Sequence, residues 1–131
     1  MTGRQSFEYA ILRVVPRVER GEAINGGVLL YCRAMDYLAA ETHLDADRLR
    51  ALDPRADVAG ISRALASAAD VCAGGPSAGP VGAEDLGKRF RWLTAPRSTV
   101  VQPGPVHTGL TTDPAADMAR LMRTLVYQAF G

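Results

Sequence analysis

The sequence predicts an α+β fold: a small, largely antiparallel sheet packed by about three to four helices around a single core. Three observations point there. Runs rich in β-branched and aromatic residues come first, and stripes of helical period with capping signals fill the middle and the end. The connection between the second and third strand-like runs is short enough for an antiparallel hairpin.

Phe7 to Val15 places Phe7, Tyr9, Ile11 and Val15 on one side and Ala10, Leu12 and Val14 on the other, which predicts a strand covered on both faces and ended by Pro16. Arg13 falls on the Phe7 side, so it needs a partner or marks where that face opens to water. Glu22 to Gly27 reads as a turn leading into strands at Gly26 to Cys32 and Tyr37 to Leu44, joined by Arg33 to Asp36. Asp45 is a helix N-cap, with Leu44 before it and Leu49 inside as a hydrophobic staple, and the short helix stops before Pro54. From Asp57, the positions Val58, Ile61, Leu65, Ala68 and Cys72 step at three and four and end at Gly74, Gly75 and Pro76. Residues 74–83 read as a Gly/Pro-rich surface loop. Leu86, Phe90 and Leu93 predict a short helix with Lys88, Arg89 and Arg91 on its other side, and Thr99 to Gln102 a strand before Pro103, Gly104 and Pro105 turn the chain. Asp113 and Pro114 open a last helix whose buried stripe is Met118, Leu121, Met122, Leu125 and Ala129.

A chain of 131 residues with 47% hydrophobic content suits one domain, 1–131. Its 15 basic and 14 acidic residues nearly cancel, so no global field draws the molecule to nucleic acid or an anionic membrane. Cys32 and Cys72 form no C-x-x-C pair, which predicts buried thiols in a reducing compartment, with the cytoplasm as default. No signal-peptide pattern or long apolar run occurs, so the sequence reads as soluble and unprocessed, with no membrane partner.

Two motifs match in form and fail in context. Gly82 to Lys88 follows the start of a phosphate-binding loop, but Arg89 stands where Ser or Thr should hold Mg²⁺, and Glu84 and Asp85 sit inside it. Gly75 to Gly79 matches G-x-S-x-G, and Asp85 and His107 follow in hydrolase order. Pro76 and Pro80 bracket a loop there, not a strand-to-helix elbow. With only His43 and His107 and two isolated cysteines, no metal ligand set is complete, and no cofactor is expected.

The stretch from Lys88 to Thr112 carries Lys88, Arg89, Arg91, Arg97 and His107 and no Asp or Glu. Cations that converge without acids make an anion site, and guanidinium groups suit bidentate contact with phosphate or carboxylate. The expected ligand-binding set is Arg13, Asn25, Arg89, Arg91, Arg97, Ser98, His107 and Thr108, lining a groove beside the Glu22 to Gly27 turn. Arg97→Ala is then expected to weaken binding and flatten its salt dependence. The competing reading pairs these arginines with acids such as Glu19, Glu22 and Asp113 and puts Trp92 in the core.

Three blocks, Tyr9 to Pro16, Arg20-Gly21-Glu22 through Asn25 to Leu30, and Arg89 to Thr111, together resemble DUF3037, a bacterial family of unknown function. The resemblance spans most of the chain, with Gly26 a small departure from the more usual N-V-G-V pattern. It implies a whole domain and carries over no catalytic residue. Members similar to this chain occur beside HipA-like kinases, which implies a protein partner of that kind.

The leading expectation is therefore a small cytoplasmic accessory or binding protein for a phosphorylated or acidic ligand. An enzyme is the alternative, with His107 as acid or base beside Glu22 or Glu41 and arginines stabilising developing charge. A further alternative is a structural subunit that presents Met118, Leu121 and Met122 to a partner. A homodimer is left open.

Overall fold

The computed structural model describes residues 3–127, so Ala129 of the expected last stripe lies outside the described residues. Five antiparallel strands and four α-helices form the predicted α+β architecture. The strands are β1 (Gln5–Val14), β2 (Ile24–Cys32), β3 (Tyr37–Thr42), β4 (Val101–Pro103) and β5 (His107–Thr111). The helices are α1 (Ala46–Leu52), α2 (Val58–Ala73), α3 (Leu86–Thr94) and α4 (Pro114–Leu125).

The sheet runs β3-β2-β1, and β4 and β5 lie end to end along the other side of β1. Leu12 to Val14 face β4, and Gln5 to Tyr9 face β5. Pro103, Gly104 and Pro105 interrupt what would otherwise be one strand, because two prolines remove ladder donors. Only the Gly104 amide bridges the break, donating to Ile11 O at 2.8 Å.

Side-chain alternation along β1 divides the apolar interior into two layers. Leu12 and Val14 pack with Ile24, Leu29, Tyr31, Leu49, Ile61, Leu65 and Phe90, on the face covered by α1, α2 and α3. Phe7 points the other way and packs with Val28, Leu30, Cys32, Met118, Leu121 and Met122 under α4. The expectation that β1 is covered on both sides is met for this reason. The apolar face of α4 is consumed in the same way, and Met118, Leu121 and Met122 are buried against the sheet instead of facing a partner.

Asp45 and Asp113 cap helices where the sequence places them, and Asp57 and Asp85 do so for the other two helices. Carboxylates of Asp45, Asp57, Asp85 and Asp113 accept hydrogen bonds from backbone amides in the first turns of α1, α2, α3 and α4. Helix α2 stops at Gly74, whose φ of 77° suits a residue without Cβ. The hairpin between β2 and β3 closes through a 3-10 turn at Arg33–Met35, with Asp36 in the left-handed region.

Two expectations are corrected. The stretch before β2 does not remain a turn up to Gly27: Ile24 already pairs with Val14, and the register slips between Leu12 and Arg13. Gly26 is the extra residue of this bulge. A Cβ there would lie 2.7 Å from Val14 Cγ2, so only glycine lets the bulged backbone approach β1. Trp92 is not core: it lies on the outer side of α3, 47% exposed. Among the described residues no helix is long and apolar enough to cross a membrane.

Candidate ligand-binding recess

The arginines expected to line one groove have separate destinations. Arg89 is a structural cation. Its guanidinium donates to Val71 O at 3.0 Å, Cys72 O at 2.8 Å and Glu84 O at 3.0 Å, so it closes the carbonyl end of α2 and ties it to the loop before α3. Arg97 folds back on α3, donating to the Trp92 and Ala95 carbonyls, with its guanidinium 4.7 Å from the Trp92 ring centroid. It borders a recess of about 610 Å³ with Arg55, Asp53, Asp57 and Thr99, while the neighbouring Ser98 is exposed.

Arg13 and Asn25 stand opposite each other across the β1–β2 pairing, and Asn25 donates to Leu125 O of α4 at 3.0 Å. His107 faces Tyr9, with ring centroids 5.2 Å apart. These three belong to the α4 side of the sheet, away from α3. The groove of Arg13, Arg89, Arg91, Arg97 and His107 is therefore not assembled: β-strand alternation and the engagement of Arg89 and Arg97 with carbonyls send them apart.

The acid/base pairs are separated too. His107 stands across from Tyr9, whereas Glu22 precedes Ile24, the partner of Val14; the intervening length of β1 is roughly 16 Å at about 3.3 Å per residue. Arg20 hydrogen-bonds the Glu22 carboxylate and holds its pKa below the ordinary value, which weakens it further as a base. Glu41, on β3, is separated from His107 by β2 and β1. Neither tempting motif gains a context: Gly75 to Gly79 surrounds a 3-10 turn, and Gly82 to Lys88 runs from a second 3-10 turn into α3.

One of the expected cations does meet others. Glu8 lies in register with Tyr31 on one side and Thr108 on the other, on the face that α3 only partly covers. Phe90 anchors α3 there, its ring centroid 5.4 Å from that of Tyr31. The next turns of chain place Arg33 from the β2–β3 hairpin, Lys88 and Arg91 from α3, and the edge of Tyr31 around a recess of about 600 Å³ that also includes Glu8, Asp36 and Asp85. A second recess of about 500 Å³ shares Glu8, Tyr31 and Arg33 with it and extends to Thr108. Together they form a trough that unites Arg91 and Thr108 of the expected set.

The cations of this trough are held loosely. Arg91 Nη1 is 3.6 Å from Glu8 Oε2, and Lys88 Nζ is 3.6 Å from Glu84 Oε2, both beyond a short charge-assisted hydrogen bond. Their side chains are 66% and 70% exposed. Arg33 has no carboxylate within ion-pair distance among the described residues. Asp85 is occupied as the α3 cap, accepting from Lys88 N at 2.8 Å. Gly87 leaves room for the Tyr31 hydroxyl, which a Cβ there would approach to 3.1 Å.

A model of the family described as a protein of unknown function, DUF3037, matches residues 9–126. The chain belongs to the DUF3037 family. No curated protein and no solved structure matches it. The match begins inside β1, one residue after Glu8, and runs through α4, so it covers Arg33, Lys88 and Arg91 of the trough as well as the carbonyl-capping Arg89 of this DUF3037 chain.

Sequence reasoning passed over Tyr31, Arg33 and Glu8. The signal available was Glu8, the one carboxylate of β1, on the side of Leu12 and Val14. A lone acid there marks where the helical layer ends.

Both cysteines are buried and unpaired. Burial pushes the Cys72 thiol up to about 12, with the nearby Arg89 charge acting in the opposite sense. The thiol ionises near 9.0 when exposed, so above that pH the unfolded chain loses a proton that the folded chain keeps. Stability should therefore fall as pH rises through the interval from 9.0 to about 12, and Cys72→Ala should flatten that slope in urea midpoints measured against pH. An unchanged slope in the variant would contradict this.

Proposed function

We propose that this DUF3037 chain is a small cytoplasmic accessory protein of bacteria that binds a ligand bearing a phosphate or carboxylate group, and that Arg33, Lys88 and Arg91 receive that group. The observation that supports this best is the loose pairing of those cations around one trough, beside the Tyr31 hydroxyl. Arginines already closed on short carboxylate contacts would have little left to offer an anion; these retain free donors. Glu8 and Asp36 on the same walls can in addition accept hydrogen bonds from a ligand that carries a donor beside its anionic group. Among the described residues no carboxylate lies within ion-pair distance of His107 to support the enzyme reading.

The test is thermal unfolding with inorganic pyrophosphate as probe at low ionic strength, because a ligand that prefers the native state raises the midpoint by mass action. The wild type should shift upward, Arg33→Ala and Arg91→Ala should each remove most of the shift, and Arg97→Ala should keep it. A shift that survives the first two substitutions, or disappears with Arg97→Ala, would move the site elsewhere. A wild type that does not respond would count against the anion reading itself.

A further inference from the structure

The geometry points to β5 as a self-pairing edge through which two copies of this chain join their sheets; the inference does not rest on the ligand reading, and shares with it only Thr108 at the end of the trough. Strand β5 is hydrogen-bonded to β1 on one side only, so its other row of backbone amides and carbonyls faces outward. Exposed edges are usually blunted by charge, proline or a covering element. The neighbouring β4 has Pro103 followed by Gly104 and Pro105, and the opposite edge strand, β3, carries Glu41 and packs beside α2. From His107 to Leu110 there is no acid, lysine, arginine or proline, and His107, Thr108 and Leu110 are exposed; only Thr111, at the end of the strand, is buried. The whole stretch from Ser98 to Thr112 contains no Asp, Glu, Lys or Arg, and Leu110, on β5, is 58% exposed.

A second copy is the occupant that this edge fits. An antiparallel pairing about a two-fold axis at Gly109 sets Thr108 opposite the partner's Leu110 and His107 opposite the partner's Thr111. Leu110 and Thr108 share the face of Glu8, so the exposed leucine would gain cover from a threonine side chain, and no charge would meet a like charge across the new pair. A partner strand bearing charges would find no complement on β5. Gly109 suits the axis because its inner side is already filled by the Phe7 ring, which a Cβ would approach to 2.6 Å.

A five-residue strand pair buries less than the roughly 800 Å² per partner of standard interfaces, so the dimer should be weak and concentration-dependent. Sedimentation equilibrium should show the mass rising from 14.0 kDa towards twice that value as concentration increases. Leu110→Lys, at an exposed position, should keep the circular dichroism and melting midpoint of the wild type and stay at the monomer mass. The double variant Thr108→Cys, Leu110→Cys should form a disulfide-linked dimer on mild oxidation, since those positions face each other across the axis, while Trp92→Cys should not. A wild type that stays at 14.0 kDa at every concentration overturns the inference, as does a Leu110→Lys variant that associates like the wild type. Association without the Thr108/Leu110 cross-link overturns the two-fold register.

Discussion

Phe90→Ala should lower the free energy of unfolding by about 3–5 kcal/mol, a large part of the roughly 5–15 kcal/mol typical of a whole domain. Phe90 is fully buried at the junction of α3 with the sheet, and its ring packs on Tyr31. Removing it leaves a cavity that neighbours on two different elements must fill, and collapse is limited because Leu93 and Tyr31 are themselves buried. The effect should also reach the trough, because the same ring sets the position of Tyr31 and of the helix that carries Lys88 and Arg91. Urea unfolding checks the first part, with Phe90→Leu as the milder comparison, and pyrophosphate binding by the folded fraction checks the second. A loss below about 1 kcal/mol would mean that α3 is not held by this contact.

Arg89→Met should cost about 2–4 kcal/mol, because it withdraws a charged donor from carbonyls that gain no other partner from the apolar replacement. Met keeps much of the stem's apolar packing, so the measured loss reports mainly on hydrogen bonds to Val71, Cys72 and Glu84. Arg97→Ala and Arg91→Ala supply the contrast. Arg97 is stacked on an exposed tryptophan and Arg91 faces Glu8 across 3.6 Å, so each should change stability by under about 1 kcal/mol. Urea midpoints for the three variants decide it. Equal effects would remove the distinction between a cation that holds the fold and cations left available at its surface.

These two residues show how far the sequence could be read. Phe90 was legible as core because Leu86, Phe90 and Leu93 recur at helical spacing, and the caps at Asp45 and Asp113 were legible because capping is a local interaction. Arg89 was not. Its partners are backbone carbonyls, which leave no residue-type signature, and Val71 and Cys72 lie 18 and 17 positions away. Segments of like charge therefore look the same in sequence whether their cations bind backbone, stack on tryptophan or remain free.

Strand β5 was missed for a related reason. His107-Thr108-Gly109-Leu110-Thr111 has no apolar alternation, and its conformation comes from pairing with β1, a tertiary effect. Without that strand, the register that sets Thr108 beside Glu8, and Glu8 beside Tyr31, could not be built, and neither could the trough. The α4 side was easier: Pro114 at the first helical position and the Met118, Leu121, Met122 stripe specify both the helix and its buried face.

The most direct test of the ligand-binding trough is a pyrophosphate titration followed by heteronuclear NMR of backbone amides and arginine Nε–Hε groups. Saturable shifts should concentrate at Tyr31, Arg33, Lys88 and Arg91 and leave Arg13, Arg97 and His107 largely unmoved. Shifts centred on Arg97 or on the Arg13 and His107 face, or no saturable shift at any residue, would contradict the assignment.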